Sequence, residues 1–230
     1  MKFIKYLIRK IVPFFGIDFY QRLLACSILE NAFPSLSRAP IFESRELLWD
    51  FAINIALQKN TPVSFVEYGV HEGYSIQYFA KEIQQKDSVF IGLDSFEGLP
   101  ESWGALPAGH FSTNSFIPSM DDSRVTFIKG WFQETDLALS KLITGRPNLI
   151  VHYDADLYSS TLFALSKIDN LKVQYIAIFD EFPGHEARAL YNYFQAYSVE
   201  IKFLGKTLDV NNNPGQVLCE ITPNCGSSLA

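Results

Sequence analysis

Apolar residues fall into two regimes along this chain. Up to about residue 58 they recur at helical spacing, and beyond residue 62 they gather into short unbroken runs separated by helical stretches. The early part predicts a helix over 20–35, a loop marked by Pro34, Ser35, Ser37 and Pro40, and a helix over 43–58 with Leu47, Leu48, Phe51, Ile55 and Leu57 on its apolar positions. The runs 63–68, 89–93, 125–128, 149–153 and 175–179 predict strands. Helical stretches near 74–85, 134–143, 158–169 and 185–196 lie between or after them. Unbroken apolar runs suit strands covered on both faces, so the alternation implies an α/β fold with a mostly parallel sheet and helices on both sides. Runs at 199–204 and 216–221 flank a turn of three asparagines, Pro214 and Gly215, predicting an antiparallel C-terminal hairpin and a seven-stranded sheet. The segment 98–122 is too long for a simple connection and reads as a loop over a site.

Composition adds three constraints. With 48% hydrophobic and 19% charged residues over 230 positions, the chain is globular and long enough for a sizeable core. The formal charge of −6 argues against a nucleic-acid partner, which would require neutralised phosphates. Three scattered cysteines, Cys26, Cys219 and Cys225, form no metal or redox motif and suit a reducing cytoplasm. Lys2, Lys5, Arg9 and Lys10 crowd the first ten residues among apolar neighbours. They give a basic amphipathic helix over 1–12 ended by Pro13. Three readings of it stand: packing on the body or on a second copy, peripheral contact with an anionic membrane at its cytoplasmic face, or a frayed terminus. No run is long enough to span a bilayer.

The chemistry should sit beyond the carboxyl ends of the parallel strands. Four of those five ends carry acids: Glu67, Asp94, the pair Asp154 and Asp156, and the pair Asp180 and Glu181. The first loop holds Gly69 and Gly73 but lacks the third glycine of a pyrophosphate cradle, and Glu67 beside it would repel phosphate. A cofactor with a sulfonium or ammonium centre suits it better, and S-adenosylmethionine is such a molecule. Asp94 is placed to accept from ribose hydroxyls. Carboxylates crowded at adjacent strand ends must share protons or hold a cation. Asp154, Asp180 and Glu181 are therefore candidate ligands for Mg²⁺. His152 lies on the same strand face as Asp154 and reads as a core residue.

Specific strings then carry a resemblance. Glu67-x-Gly69-Val70-x-x-Gly73-x-Ser75, Gly92 through Pro100 (GLDSFEGLP), Lys129-Gly130-Trp131-Phe132, Asp154-x-Asp156-Leu157-Tyr158-Ser159-Ser160-Thr161 and Phe179-Asp180-Glu181 occur in this order. Over roughly 60–200 the chain resembles the macrocin O-methyltransferase type of class I S-adenosylmethionine-dependent methyltransferases, bacterial enzymes that methylate sugar hydroxyls on natural products or glycans. The resemblance implies a Rossmann-like methyltransferase domain over 61–230 behind a helical extension over 1–60. It implies cofactor contacts from Glu67, Gly69, Asp94, Ser95 and Phe96, to which the first loop adds His71, Gly73 and Ser75. It also implies a Mg²⁺ on Asp154, Asp180 and Glu181. For transfer to an alcohol, Asp154 is the expected ligand and base, with Asp156 the second candidate and His185 a third. Trp103, His110 and Phe111 are expected to wall an acceptor ring. A small-molecule or glycan acceptor and a homodimer are the expected partners. A SAM-binding protein without catalysis and a metal-independent methyltransferase remain as alternatives.

Overall fold

The computed structural model describes residues 23, 24 and 27–224. The basic segment 1–12, Cys26 and Cys225 lie outside the described residues. Helix α1 (Arg45–Leu57) opens under a Ser44 cap, whose hydroxyl accepts the Leu47 N–H at 3.3 Å. Then follow β1 (Ser64–Tyr68), α2 (Tyr74–Glu82), β2 (Val89–Asp94), β3 (Val125–Lys129), α3 (Phe132–Ile143) and β4 (Leu149–Tyr153). The chain continues through α4 (Tyr158–Asp169), β5 (Tyr175–Phe179), α5 (His185–Tyr197), β6 (Glu200–Leu208) and β7 (Pro214–Thr222). The expected helix over 20–35 ends earlier. Within it 27–31 are helical, and Pro34–Arg38 forms a separate 3₁₀ turn because proline starts a new turn more readily than it continues one.

One seven-stranded sheet runs β3-β2-β1-β4-β5-β7-β6, parallel from β3 to β5 and antiparallel through β7 and β6. Beyond β1 the chain first builds outward to β3 and then returns to lay β4 against β1, in register from Ser64–Leu149 to Tyr68–Tyr153. The loops after β1 and β4 therefore leave in opposite directions and open a crevice between them. The strands β1, β4 and β5 are buried at every position, which is why their sequences read as unbroken apolar runs.

Alternate strand residues feed two cores. Phe65, Phe90, Ile150, Ile176, Ile178 and Leu218 pack with Leu48, Trp49, Ile76 and Phe79 from α1 and α2. Val66, Leu93, Val151, Ala177, Val217 and Cys219 pack with residues of α3, α4 and α5 on the other face. Elements far apart in the chain are stitched together by specific polar contacts. The Trp49 indole N–H donates to Gln216 Oε1 at 2.8 Å, and the Lys206 ammonium is buried against the carbonyls of Leu36 and Ser37 at 2.9 and 3.2 Å. The backbone of Lys206 also pairs with Pro40 and Phe42.

Arg124 closes the C-terminal end of α2. Its guanidinium donates to the carbonyls of Ala80, Ile83 and Gln85 at 2.7, 2.5 and 3.1 Å, lies 5.0 Å over the Phe90 ring, and is held by Asp122 at 2.7 Å. A cation here also complements the negative end of the helix. Truncation in Arg124→Ala leaves three carbonyls and one carboxylate without their donor. It is expected to cost ~2 kcal/mol and lower the melting temperature by ~4–8 °C. Thermal unfolding followed by circular dichroism measures it, and an unchanged midpoint would contradict the capping role.

Candidate active site

The crevice between β1 and β4 deepens into a cavity of about 650 Å³. Its floor is made by strand ends, its roof by the long loop after β2. Gly69 leaves β1 with φ +92°, and its N–H bonds to the Leu93 carbonyl at 3.0 Å. A Cβ added at Gly69 would lie 1.8 Å from the Asp154 carbonyl oxygen, so only glycine lets the β1 and β4 loops approach this closely. Gly73 serves a different purpose. It caps α2 at φ +81° and lies against Met120 and Pro118 of the roof.

Asp94 organises the loops. One carboxyl oxygen accepts the N–H groups of Val70 and His71 at 2.8 and 2.9 Å, and the other accepts the Phe96 N–H at 2.6 Å. Phe96 is itself buried in the core, with left-handed backbone (φ 58°), and its carbonyl receives the Ser115 N–H at 2.9 Å. Asp94 thus ties the first loop to the second and, through Phe96, to the roof. Two further contacts tie the roof to the site. The Phe111 ring meets His71 edge-on at 5.9 Å, and Glu101 accepts from the Ser159 hydroxyl at 3.4 Å.

The acidic strand ends converge in part. Tyr153 and Phe179 are register partners, and the Asp180 N–H bonds to the Tyr153 carbonyl at 3.0 Å, so Asp154 and Asp180 follow side by side. All four carboxylates expected here, Asp154, Asp156, Asp180 and Glu181, line the cavity. Burial, then the neighbouring Asp180, Asp156, Glu67 and Glu186, holds the Asp154 carboxyl well above its ordinary range. Burial, then Glu181, Asp180 and Asp94, pushes Asp156 up to about 7. Burial and Asp180 also raise Glu181. Glu186, in the first turn of α5, is fully enclosed behind them and raised mainly by burial.

A protein that holds protons on these groups when folded releases them on unfolding. Between about pH 4 and pH 7 the folded state binds more protons than the unfolded one, so stability falls as pH rises through that window. Melting of the ligand-free protein is expected at lower temperature at pH 8 than at pH 5.5, with the Asp156→Asn variant showing a smaller difference. A midpoint that rises with pH over this interval would contradict the assignment.

Several expected residues occupy other places. Glu67 does not reach the cavity. It is fully buried on β1, where one oxygen accepts the Ser75 hydroxyl and meets His152 Nδ1 at 2.9 Å, while Glu67 Oε2 and His152 Nε2 have no hydrogen-bond partner. Its side chain follows the strand's alternation into the layer under the loop, because only the loop beyond the strand faces the crevice. Ser75 and Gly73 likewise lie beneath the lining. His185 Nδ1 accepts the Tyr158 N–H at 3.1 Å. That bond spends one ring nitrogen on the first residue of α4, and His185 is not among the residues that line the cavity. Of the three roof residues, Phe111 lines the cavity, while Trp103 and His110 stand behind it with centroids 6.4 and 4.4 Å from its ring. Sequence reasoning missed Gly130, Trp131, Phe132 and Gln133, which line the side below β3. The Gly-Trp-Phe string directly after a strand was the available signal.

The metal expectation meets a geometric test. A divalent ion needs its oxygens gathered around one point at about 2.0–2.6 Å. Among the described residues, no group of three or more His, Cys, Asp or Glu side chains is so gathered. Asp154 and Asp180 are adjacent, but Glu181 has turned into left-handed backbone (φ 41°) at the open side of the cavity, where its carboxyl is only partly enclosed. The donors suit Mg²⁺ by type, and their arrangement does not form its cage.

Comparison with solved structures places this architecture. A calicheamicin methyltransferase, CalS11, matches with TM-score 0.53 at 16% identity, over 87% of this chain and 91% of that one. The chain has the class I methyltransferase fold. An O-methyltransferase from Bacillus cereus, in complex with SAH, matches at TM-score 0.49 and 13% identity over 86% and 90% of the two chains. A putative O-methyltransferase from Klebsiella pneumoniae matches at TM-score 0.49 and 15% identity over 95% of each. No family model matches the sequence, and no curated protein does. Among the described residues, no helix is long and apolar enough to cross a membrane.

Proposed function

We propose that this protein is an S-adenosylmethionine-dependent O-methyltransferase acting on a hydroxyl of a sugar, glycan or related natural product. The observation that carries the reading is the crevice itself. It opens where β1 and β4 diverge, Asp94 holds its loops in place, and acids and aromatic rings line it, with no glycine-rich phosphate cradle. Its volume is within the range of pockets that enclose a small ligand. The sugar acceptor rests on the sequence strings around Asp94 and Asp154.

In the reaction the acceptor oxygen attacks the methyl carbon of the sulfonium. The new C–O bond forms as the C–S bond breaks, the sulfur keeps the electron pair, and S-adenosylhomocysteine leaves. The hydroxyl proton must go to a base. Asp156 lines the cavity with its carboxyl near half-ionised at neutral pH, the condition under which a base accepts protons effectively. Asp154, also raised by burial and by Asp180, lines the cavity beside it. The rest of catalysis is positioning: the walls must hold oxygen, carbon and sulfur in line.

Thermal shift with S-adenosylmethionine, S-adenosylhomocysteine and NAD tests the reading. Both adenosyl ligands are expected to raise the melting temperature by several degrees at saturating concentration, and NAD to leave it unmoved. Stabilisation by NAD alone would overturn the proposal. Transfer of labelled methyl to a panel of glycosides and glycolipids, with and without EDTA, then reads acceptor class and metal dependence together.

A further inference from the structure

Helix α5 carries apolar residues on two faces. Ala187, Leu190 and Tyr193 are buried in the core, while Tyr191 and Phe194 pack against its edge and stay partly exposed. Phe33 covers one side of that second face, its ring edge-on at 6.4 and 6.3 Å from those of Tyr191 and Phe194. On the other side lies a groove of about 400 Å³, which shares no lining residue with the active-site cavity. Leu24, Ile28 and Ala32, at the four-residue spacing of one helix face, form its facing wall. The rest of its lining among the described residues, Ser27, Asn31 and Gln195, is polar and uncharged.

The groove sits where the described chain begins. Leu23 and Leu24 are 53% and 41% exposed, so the apolar wall runs up to the point where residues 1–22 join it. Within that stretch Phe3, Ile4, Leu7, Ile8 and Ile11 repeat at helical spacing, and Lys2, Lys5, Arg9 and Lys10 fall on the opposite arc. As a helix, residues 1–12 measure about 18 Å. Residues 13–19 separate them from the helix expected from residue 20. That length is common between packed helices, and Pro13 and Gly16 suit a turn. The neutral rim of the groove neither attracts nor repels the cations, so an apolar stripe laid in it leaves the basic arc in water.

We propose that this groove is the docking site of the chain's own residues 1–12, which fold back along the wall at 24–32 and lay their apolar stripe against Tyr191 and Phe194. The tether decides the occupant. A segment joined through a short link is present at an effective concentration of about millimolar, which a second copy does not match at ordinary protein concentrations. The same stripe is what would enter a bilayer, so docking in the groove and membrane contact exclude one another. The inference is independent of methyl transfer and is tested apart from it.

Hydrogen exchange read by mass spectrometry on the full chain tests it. The parent is compared with two variants, Leu7→Asp with Ile8→Asp in the segment, and Leu24→Lys on the groove wall. Leu24 lies outside the buried core, and circular dichroism checks the fold of both variants. Leu24→Lys leaves the sequence of the segment intact, so any loss of protection there reports the groove. The parent is expected to exchange amides 4–11 at least about tenfold more slowly than either variant. It is also expected to melt about 4 °C or more above them. Sedimentation at low and high protein concentration, and flotation with vesicles of phosphatidylglycerol and phosphatidylcholine, run alongside. Equal exchange over 4–11 or an unchanged melting temperature overturns the proposal, whether or not the parent floats with the vesicles. A parent dimer that becomes monomeric in both variants also overturns it, because the groove is then filled by the segment of a second copy.

Discussion

Replacing Asp156 by Asn is expected to lower methyl transfer by at least a hundredfold while leaving S-adenosylmethionine affinity within a few-fold. The substitution keeps the shape of the side chain and removes its ability to take a proton, and a positioned base contributes about 10²–10⁴ in rate. Asp156 is also conformationally committed. Its backbone is left-handed (φ 58°), in the short link between β4 and α4, and this presents the carboxyl to the cavity. The pH profile separates a base from a structural acid. For the parent, kcat/KM should rise with pH and level off above an apparent value near 7, because only the deprotonated carboxylate accepts the hydroxyl proton. The acids at these strand ends titrate together, so the observed midpoint belongs to the group. Asp156→Asn with near-normal turnover, or a parent profile flat from pH 5.5 to 8, would shift the role to Asp154.

The second large effect is expected at Gly69. Alanine there places a methyl group 1.8 Å from the Asp154 carbonyl oxygen and 2.9 Å from its carbonyl carbon, in a backbone conformation (φ +92°) that alanine disfavours. Neither obstacle is a flexible side chain. The β1 and β4 loops must separate, and they are the two sides of the crevice. The cost is expected to be ~3–5 kcal/mol, in the range of severe single substitutions. Gly69→Ala should therefore either fail to accumulate as folded protein or lose the adenosyl-ligand shift while keeping its helical signal. Alanine at Gly104, where nothing stands within 4 Å of the added Cβ although φ is +58°, is the control for a left-handed glycine without crowding. A Gly69→Ala protein that melts and binds like the parent would refute the close-approach argument.

Most of the architecture was legible in the sequence because the sheet is buried on both faces. Burial makes β1, β4 and β5 unbroken apolar runs, and the helices between them keep a simple period, so element type and order could be read directly. The acids at strand ends were legible for the same reason: a charge at the end of an apolar run stands out. Direction was harder. Glu67 and Asp94 both lie at or beside strand ends, yet one is sealed beneath the loop with Ser75 and His152 while the other binds three loop amides. The strand's alternation decides this, and one residue of uncertainty in where a strand stops reverses the answer. The pairing of His185 with the Tyr158 N–H was not legible, because the two lie 27 residues apart and belong to no motif. The roof could be recognised by length and composition. Which of its rings faces inward depends on local pairing such as the Trp103–Leu106 bridge, which sequence periodicity does not encode.

The hydrogen bond from Trp49 to Gln216, together with the Pro40 and Phe42 pairing to Lys206, bears on synthesis. The strand that completes the sheet beside β5 is β7, among the last described segments to be translated, and Trp49 of α1 and the carbonyls of the 3₁₀ turn find their partners only when β6 and β7 arrive. Until then an emerging chain presents an apolar β5 with an open edge, a state prone to pairing with other chains. A ribosome paused before residue 214 would thus hold a nearly complete catalytic half that cannot yet close. The late hairpin acts as the latch on biogenesis, and deleting it should show first as chaperone retention and aggregation of the nascent protein, ahead of any defect in the crevice itself.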